Sequence, residues 1–390
     1  MYKKNKKNVS HDFKLYKCCG CEICADACPT KAIVMKENKE GFKYPSIDND
    51  KCINCGKCLK VCPMRNSTFR VQKYEKPIAF AVKHKNEDAR SESRSGGIFT
   101  ALSDVILNNN GVIYGCILNE KFKAIHFRAD NKEIRDLMRG SKYVQSSMKG
   151  IANQVIEDLK NNKIVMFTGT GCQVQGIRQI VPTNLQKNLL LVDIVCHGVP
   201  SPKIWKEYLQ YMSKIYNGKI TAVDFRNKKE YGWKDHVESI EINGVRHDNK
   251  VYTNLFYNHV IIRPSCFKCP YKNLNRPGDI TIADFCGIDD AVSGFNDNKG
   301  VSLVLINDDI GKKYFEKSKN DIIFKSVELE KTLQPPLKGN FIEPSNRKKF
   351  WHVYYTKGFE KAIELYGIIR KATIRDKIQR KIKNITNKIK

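Results

Sequence analysis

Residues 18–29, CCGCEICADACP, and residues 52–63, CINCGKCLKVCP, carry one spacing twice, C-x2-C-x2-C-x3-C-P. In a reducing compartment, cysteines at this density hold metal or perform chemistry rather than form disulfides. Thiolate sets of this kind suit iron–sulfur clusters or zinc. Pro29 and Pro63 turn the chain away after the last cysteine of each run, while Gly20 and Gly56 leave room for backbone beside a bulky inorganic core. Cys19 stands outside the spacing and reads as a spare small residue.

The paired motif resembles the bacterial two-cluster ferredoxin pattern, in which three close thiolates hold one 4Fe-4S cubane and the fourth crosses to the other. The resemblance implies one cluster on Cys18, Cys21, Cys24 and Cys62, and a second on Cys52, Cys55, Cys58 and Cys28. Zinc rarely uses this crossing arrangement, so two cubanes are expected. Two one-electron centres make a conduit, and the rest of the chain is expected to hold a source or a sink.

That remainder is large. The chain has 390 residues, against roughly 100 to 200 for one domain. Its 41% hydrophobic and 28% charged residues fit a globular protein and exclude fibrous and low-complexity classes. Met1 to Lys17 is lysine-rich without an apolar core, and no run approaches the roughly 20 apolar residues of a membrane span, so a cytoplasmic location is expected. The 69 basic residues against 41 acidic ones leave a net charge of +28. Such a potential attracts anionic partners, among them an acidic redox protein or an anionic cofactor. A solvated lysine surface without any partner is an equal alternative. No groove-reading motif accompanies the charge, and no nucleic-acid partner is expected.

The cysteine-rich module is expected to end near residue 70, ahead of Lys76 and Pro77. Beyond it, short apolar runs alternate with helical spacing. Ile78 to Val82 reads as a strand, Gly97 to Leu107 as a helix and Val112 to Leu118 as a strand. Met148 to Asn161 has helical spacing through Ile151, Val155, Ile156 and Leu159, followed by the strand-like Ile164 to Phe167 and the glycine-rich Gly169 to Gly171. Leu189 to Cys196 is another buried-type strand, stopped by Pro200 and Pro202. The alternation implies a mixed α/β body. Arg370 to Lys390 places Ile374, Ile378, Ile382, Ile385 and Ile389 on one face among nine basic residues. This is a basic amphipathic helix, suited to its own protein's body, to a partner or to peripheral contact with an anionic membrane.

Within the body stand Ser95 to Leu102 as SGGIFTAL, Gly140 to Ser146 as GSKYVQS, Gly169 to Gln173 as GTGCQ, and Cys196 to Ser201 as CHGVPS. Cys266, Cys269 and Pro270 follow, then Gly278 to Gly287 as GDITIADFCG. In this order the motifs resemble the family of beta subunits of coenzyme F420 hydrogenases and dehydrogenases over about residues 75 to 350. The resemblance implies the fold class: a small dicluster ferredoxin-like α+β domain (1–70), then a mixed α/β flavin-binding body. The body divides into an N-terminal-like region (75–150) and a C-terminal-like flavin and iron–sulfur domain (151–350), followed by a helical basic tail (351–390).

It also implies a flavin, FAD, as cofactor. Ser95, Gly96, Gly97 and Thr100 would meet its pyrophosphate at a helix N-terminus, where N–H groups and the helix dipole favour an anion. The same residues would also serve as a plain helix cap. Ser141, Lys142, Tyr143 and Gln145 form the segment nearest the ring, with Lys142 a cation for the reduced flavin and Tyr143 a stacking partner. Cys172, Cys196, Cys266 and Cys269 match the family's cysteine signatures and would suffice for a third 4Fe-4S cluster; zinc and free thiols are the alternatives. Gly171 and Cys286 depart from the family, where proline and tryptophan are usual, and Cys286 could serve as a substitute ligand. Cys116 reads as a buried strand residue. His197 would relay a proton or serve as a structural histidine, and Asp279 and Asp284 would orient substrate or cap a helix.

The expected activity is that of a flavin-dependent iron–sulfur oxidoreductase linking ferredoxin or coenzyme F420 to an acceptor, with a sugar or glycan precursor as one candidate substrate. A non-catalytic electron-transfer component of a larger redox complex is the alternative. The direction of flow stays open.

Overall fold

A computed structural model describes residues 17–66 and 73–367; the basic tail from Arg370 lies outside the described residues. In the first module each cysteine motif bends through two left-handed residues, Gly20 and Glu22 in one and Asn54 and Gly56 in the other. These bends place short helices at Ile23–Asp26 and Lys57–Lys60. Between them lies an antiparallel hairpin of β1 (Ile33–Glu37) and β2 (Lys43–Ile47), in register from Ile33 opposite Ile47 to Glu37 opposite Lys43. Cys24, Ile33 and Cys58 form its small core.

The body contributes β3 (Ile78–His84), β4 (Val112–Leu118), β5 (Ala124–Ala129), β6 (Val165–Thr170) and β7 (Leu189–Ile194). After a small meander of β8 (Ile220–Asp224), β9 (Glu238–Ile242) and β10 (Val245–Asn249) come β11 (Ile280–Asp284), β12 (Ser302–Ile306) and β13 (Ile322–Val327). Eight strands make one mixed sheet in the order β13-β3-β12-β11-β7-β6-β4-β5. Its centre, from β4 through β6 and β7 to β11, is parallel, and both flanks are antiparallel. The stretches expected at 75–150 and 151–350 therefore share a single sheet, with β3 between β12 and β13.

The central strands are apolar on both faces because helices cover both. Leu190 and Val192 point to the layer holding the helices Ile98–Leu107 and Asp309–Ser318. Leu189 and Leu191 point to the layer of Ile151–Lys160 and Gly171–Ile180. A separate aromatic core gathers Trp205, Tyr208 and Tyr252 with Phe350 and Trp351 of the helix Asn346–Tyr366. The tail expected to start at 351 thus begins inside a packed helix. No helix among the described residues is long and apolar enough to cross a membrane.

The first module is seated on the second helical layer, where Cys19, Cys21 and Ile23 join the core formed by Val174 and Ile177. A side chain at Gly176 would put its Cβ 2.7 Å from Ile23 Cγ1, so glycine permits the approach. The module's acids complete the contact. Glu22, 3% exposed despite its charge, accepts from Ser147 Oγ at 2.8 Å and from the Lys43 ammonium at 3.4 Å. Asp26 accepts the N–H groups of Gly150 and Ala152 at 3.0 and 3.2 Å, capping the helix Ile151–Lys160 from another domain. Arg347 pairs with Glu40 from the opposite side. Replacing Asp26 with alanine removes that cap, and the expected loss of about 1–2 kcal/mol is measurable by chemical denaturation of the anaerobic protein. An unchanged midpoint would mean that the acid is idle.

Candidate metal centres

Cys28, Cys52, Cys55 and Cys58 line one cavity of about 340 Å³, counting the solvent at its mouth, between Ile33, Ile47 and Ile53. It lies at the outer end of the module, and Cys55 is exposed. Burial, together with repulsion from Cys55, Cys28 and Cys52, pushes the Cys58 thiol up to about 11. Burial also opposes charge on Cys28. There the Thr30 hydroxyl and nearby N–H groups, including that of Ala32 at 3.2 Å from the sulfur, win and hold the thiol below its usual value.

Cys18, Cys21, Cys24 and Cys62 lie further in. Burial raises all four thiols. Cys24 is also opposed by charge on Cys18, Cys62 and Cys58, so it faces both cysteine sets of the module. Gly20 donates its N–H to Cys18 Sγ at 3.3 Å, which its left-handed backbone allows.

The four scattered cysteines meet in the body. Cys172, Cys196, Cys266 and Cys269 line a second cavity of about 510 Å³, again counting its open mouth. Cys172 stands in the first turn of the helix after β6, whose start is fixed by a capping box of Thr170 and Gln173. Cys196 follows the end of β7, and Cys266 sits in a tight turn at Pro264–Lys268 just before Cys269. This is the carboxyl edge of the parallel strands, where open α/β sheets bind ligands. The hydrogen bond with Cys19, then burial, raise the Cys172 thiol, while burial and repulsion from the neighbouring thiols raise Cys196, Cys266 and Cys269, the last to about 12. Cys19 lines the same cavity and hydrogen-bonds Cys172 through its thiol.

Neither cavity is lined by a carboxylate or a histidine, so the donor sets are all sulfur. Among the described residues no three His, Cys, Asp or Glu side chains close up tightly enough for a single metal ion. A cubane keeps its thiolates farther apart than one ion does, and four cysteines on each cavity are the donor set it takes. Burial opposes charge on the inner thiols, on Cys58 and on the four thiols of the body, and a bound cation would offset that cost.

The residues expected near a flavin take several places. Ser95 donates its hydroxyl to the Val301 carbonyl at 2.7 Å, and Gly96 donates its N–H to Ser302 Oγ at 2.9 Å. Gly97 opens the helix Ile98–Leu107 with a left-handed backbone and no side-chain cap, and Thr100 Oγ1 accepts from Arg139 at 3.2 Å. Ser141 is exposed. Tyr143 packs on Phe225, His236 and Phe256 and bonds the Arg226 guanidinium, which also holds Asp284 at 2.8 Å. Arg94 donates to the Arg226 carbonyl, so the Ser95 loop and Tyr143 converge on two arginines that their sequence context did not mark.

Lys142 donates to the carbonyls of Leu137, Arg139 and Gly140, within 3.2 Å of each, and burial brings its ammonium down to about 8. Gln145 reaches the Cys19 carbonyl at 2.9 Å and accepts from Arg263 at 3.0 Å, tying the body to the first module. His197 Nε2 is 2.6 Å from His259 Nε2, and burial, then His259 and Lys272, lower it to about 3, which leaves it neutral near pH 7. Asp279 is a buried brace held by Arg178, Lys73 and the Leu191 N–H. Cys286 is exposed, and Cys116 is partly buried in β4.

Clustered thiols in series, set in a charge-bearing α/β body, define an iron–sulfur electron-transfer protein. Residues 162–332 match the family described as the C terminus of the coenzyme F420 hydrogenase/dehydrogenase beta subunit. Residues 17–66 and, overlapping them, 44–93 match models described as 4Fe-4S dicluster domain. Residues 162–332 thus carry the C-terminal domain of that family, with a 4Fe-4S dicluster module in front. It is 23% identical over 381 residues to one of the subunits, designated F, of the F420H2 dehydrogenase of Methanosarcina mazei, covering 91% of this chain and 96% of the relative. An uncharacterized polyferredoxin-like protein of Methanocaldococcus jannaschii is 42% identical over 55 residues, 12% of this chain and 33% of that one. A chain of the F420-reducing [NiFe] hydrogenase complex from Methanosarcina barkeri has 17% identity and a TM-score of 0.46, over 74% of this chain and 89% of its own.

Cys24→Ala is expected to lower iron by about four atoms per chain, the content of one cubane. Cys19→Ala is expected to keep it. Colorimetric iron assay of both variants after anaerobic purification checks the pair, and equal losses would contradict the ligand assignment.

Proposed function

We propose that the chain is a flavin-dependent iron–sulfur oxidoreductase that moves electrons between a carrier, ferredoxin or F420H2, and an acceptor, with a sugar or glycan precursor among the candidates. The observation that carries the reading is the succession of thiol groups. The exposed set around Cys55 meets the inner set at Cys24, and the inner set meets Cys172 through Cys19. Bound cubanes would carry single electrons, and a bound FAD would convert between single electrons and hydride.

The remaining roles belong to side chains. Ile53, 60% exposed beside Cys55, offers apolar contact at the outer end, and the exposed Lys31, Lys51, Lys57 and Lys60 surround it with positive charge suited to an acidic redox partner. In the body, the uncapped N-terminus after Gly97 would hold a pyrophosphate, with Ser95 and Gly96 fixing the loop and Arg139 supplying charge beside Thr100. Tyr143, oriented by Arg226, would face the ring, while Lys142 braces the segment that carries it. Cys172, Cys196, Cys266 and Cys269 would ligate a third cluster.

A non-catalytic carrier is the second reading, favoured by the engagement of Lys142 and Gln145 with backbone carbonyls. Flavin extraction and iron assay of anaerobically purified protein separate the two. About twelve irons with one FAD per chain is the expected result. About eight irons without flavin would establish the carrier, and zinc as the only metal would end both. Bleaching of the flavin by F420H2, NAD(P)H or reduced ferredoxin, offered one at a time, identifies the donor.

A further inference from the structure

Arg263 is fully buried, at 0% exposure, on the seam between the inner cysteine set and the cavity in the body. Its Nε donates to the Cys18 carbonyl at 2.8 Å, one terminal nitrogen to the Lys43 carbonyl at 2.8 Å, and the other to Gln145 Oε1 at 3.0 Å. The guanidinium lies over the rings of Tyr44 and Phe42, at 4.4 and 5.2 Å from their centroids. Every one of these partners is neutral, and among the described residues no carboxylate pairs with it. An arginine does not shed its proton, and a buried charge without a counter-charge is costly.

The chain is nonetheless built to admit it. At Gly20 a Cβ would stand 2.6 Å from a terminal nitrogen of Arg263 and 2.6 Å from Gln145 Nε2, so a side chain there would push the guanidinium away from the Cys18 loop. It touches both sides of the seam: besides holding the Cys18 carbonyl, it accepts the Cys266 N–H on its own carbonyl at 3.0 Å, and the Gln145 that it holds lines the cavity of Cys172. The cavity of the outer set is lined by residues of the first module alone, and none of Arg263's hydrogen-bond partners is among them.

We propose that Arg263 is the counter-charge shared by the cluster on Cys18 and the cluster on Cys172, and that it raises the reduction potential of both relative to the outer cluster. A cluster gains one negative charge on reduction, and a fixed cation beside it stabilises that form, since net charge and hydrogen bonding set cluster potentials. Arg263 is thus a positioning residue for electrons, biasing them toward the seam. The half concerning Cys172 rests on the proposed third cluster.

The test is a redox titration of the full-length, anaerobically purified protein, followed by the electron paramagnetic resonance of each reduced cluster. Arg263→Gln is expected to lower two of the three potentials by about 59 mV or more, a tenfold fall in the equilibrium for one-electron reduction, with the outer cluster moving less. Arg263→Lys, which keeps the charge, is expected to recover most of that shift. Unchanged potentials at full iron content, or an equal shift in all three clusters, would overturn the proposal.

If Arg263→Gln fails to retain iron, Gln145→Glu sets a carboxylate against the same guanidinium. It should lower the same two potentials, and no shift there overturns the proposal as well. A wild-type chain holding about eight irons would refute the third cluster, while the shift at the cluster on Cys18 would still decide the role of Arg263.

Discussion

The arrangement depends on the first cysteine motif being buried twice, once in its own module and once against the body. Cys24 belongs to the module's own core, while Cys19, Cys21 and Ile23 pack against the helices that follow β5 and β6. The chain changes from one side to the other by bending at the left-handed Gly20 and Glu22 just before the short helix Ile23–Asp26. Glu22 adopts this backbone without being glycine, and its carboxylate gains Ser147 and Lys43 as partners. Seating of the module and direction of the thiols are therefore one geometric fact.

From this follows the order of the thiol groups. Since the module is held by Asp26 on one helix, Glu40 on another and Gln145 with Arg263 beneath, the inner set cannot swing away from the cavity in the body. The outer set, with Cys55 and Ile53 exposed, is left as the face open to a partner. Raised thiols on both sides mark regions poor in water, where charge on a ligand is costly until a metal compensates it. Low hydration also strengthens any fixed charge at the seam.

Much of this was legible in the sequence, for reasons that differ by element. The eight cysteines of the first module declare themselves because their ligand spacing is local. The strands at 112–118 and 189–194 were visible because central parallel strands are apolar on both faces. Cys172, Cys196, Cys266 and Cys269 could be grouped only through family likeness, since two strand ends and a tight turn bring them together across nearly a hundred positions. Arg263, Arg94 and Arg226 left no mark, because a buried arginine reads like any solvated one until its neighbours are known. Glu22 and Asp26 were hidden for the same reason, lying inside a motif whose cysteines claim attention. Gln145 lay in a segment read for its cofactor side and turned out to bridge to the module.

The large positive charge can now be divided. The pairs Arg178 with Asp279, Arg135 with Asp104 and Arg347 with Glu40 hold elements together and add nothing to it. Part surrounds the outer cysteine set, where exposed lysines outnumber the free acids because Glu22, Asp26 and Glu40 are all turned toward the body. Docking the module thus removes acidic groups from its surface and leaves the lysines behind. The positive field around Cys55 is the electrostatic consequence of the same contacts that seat the module on the body.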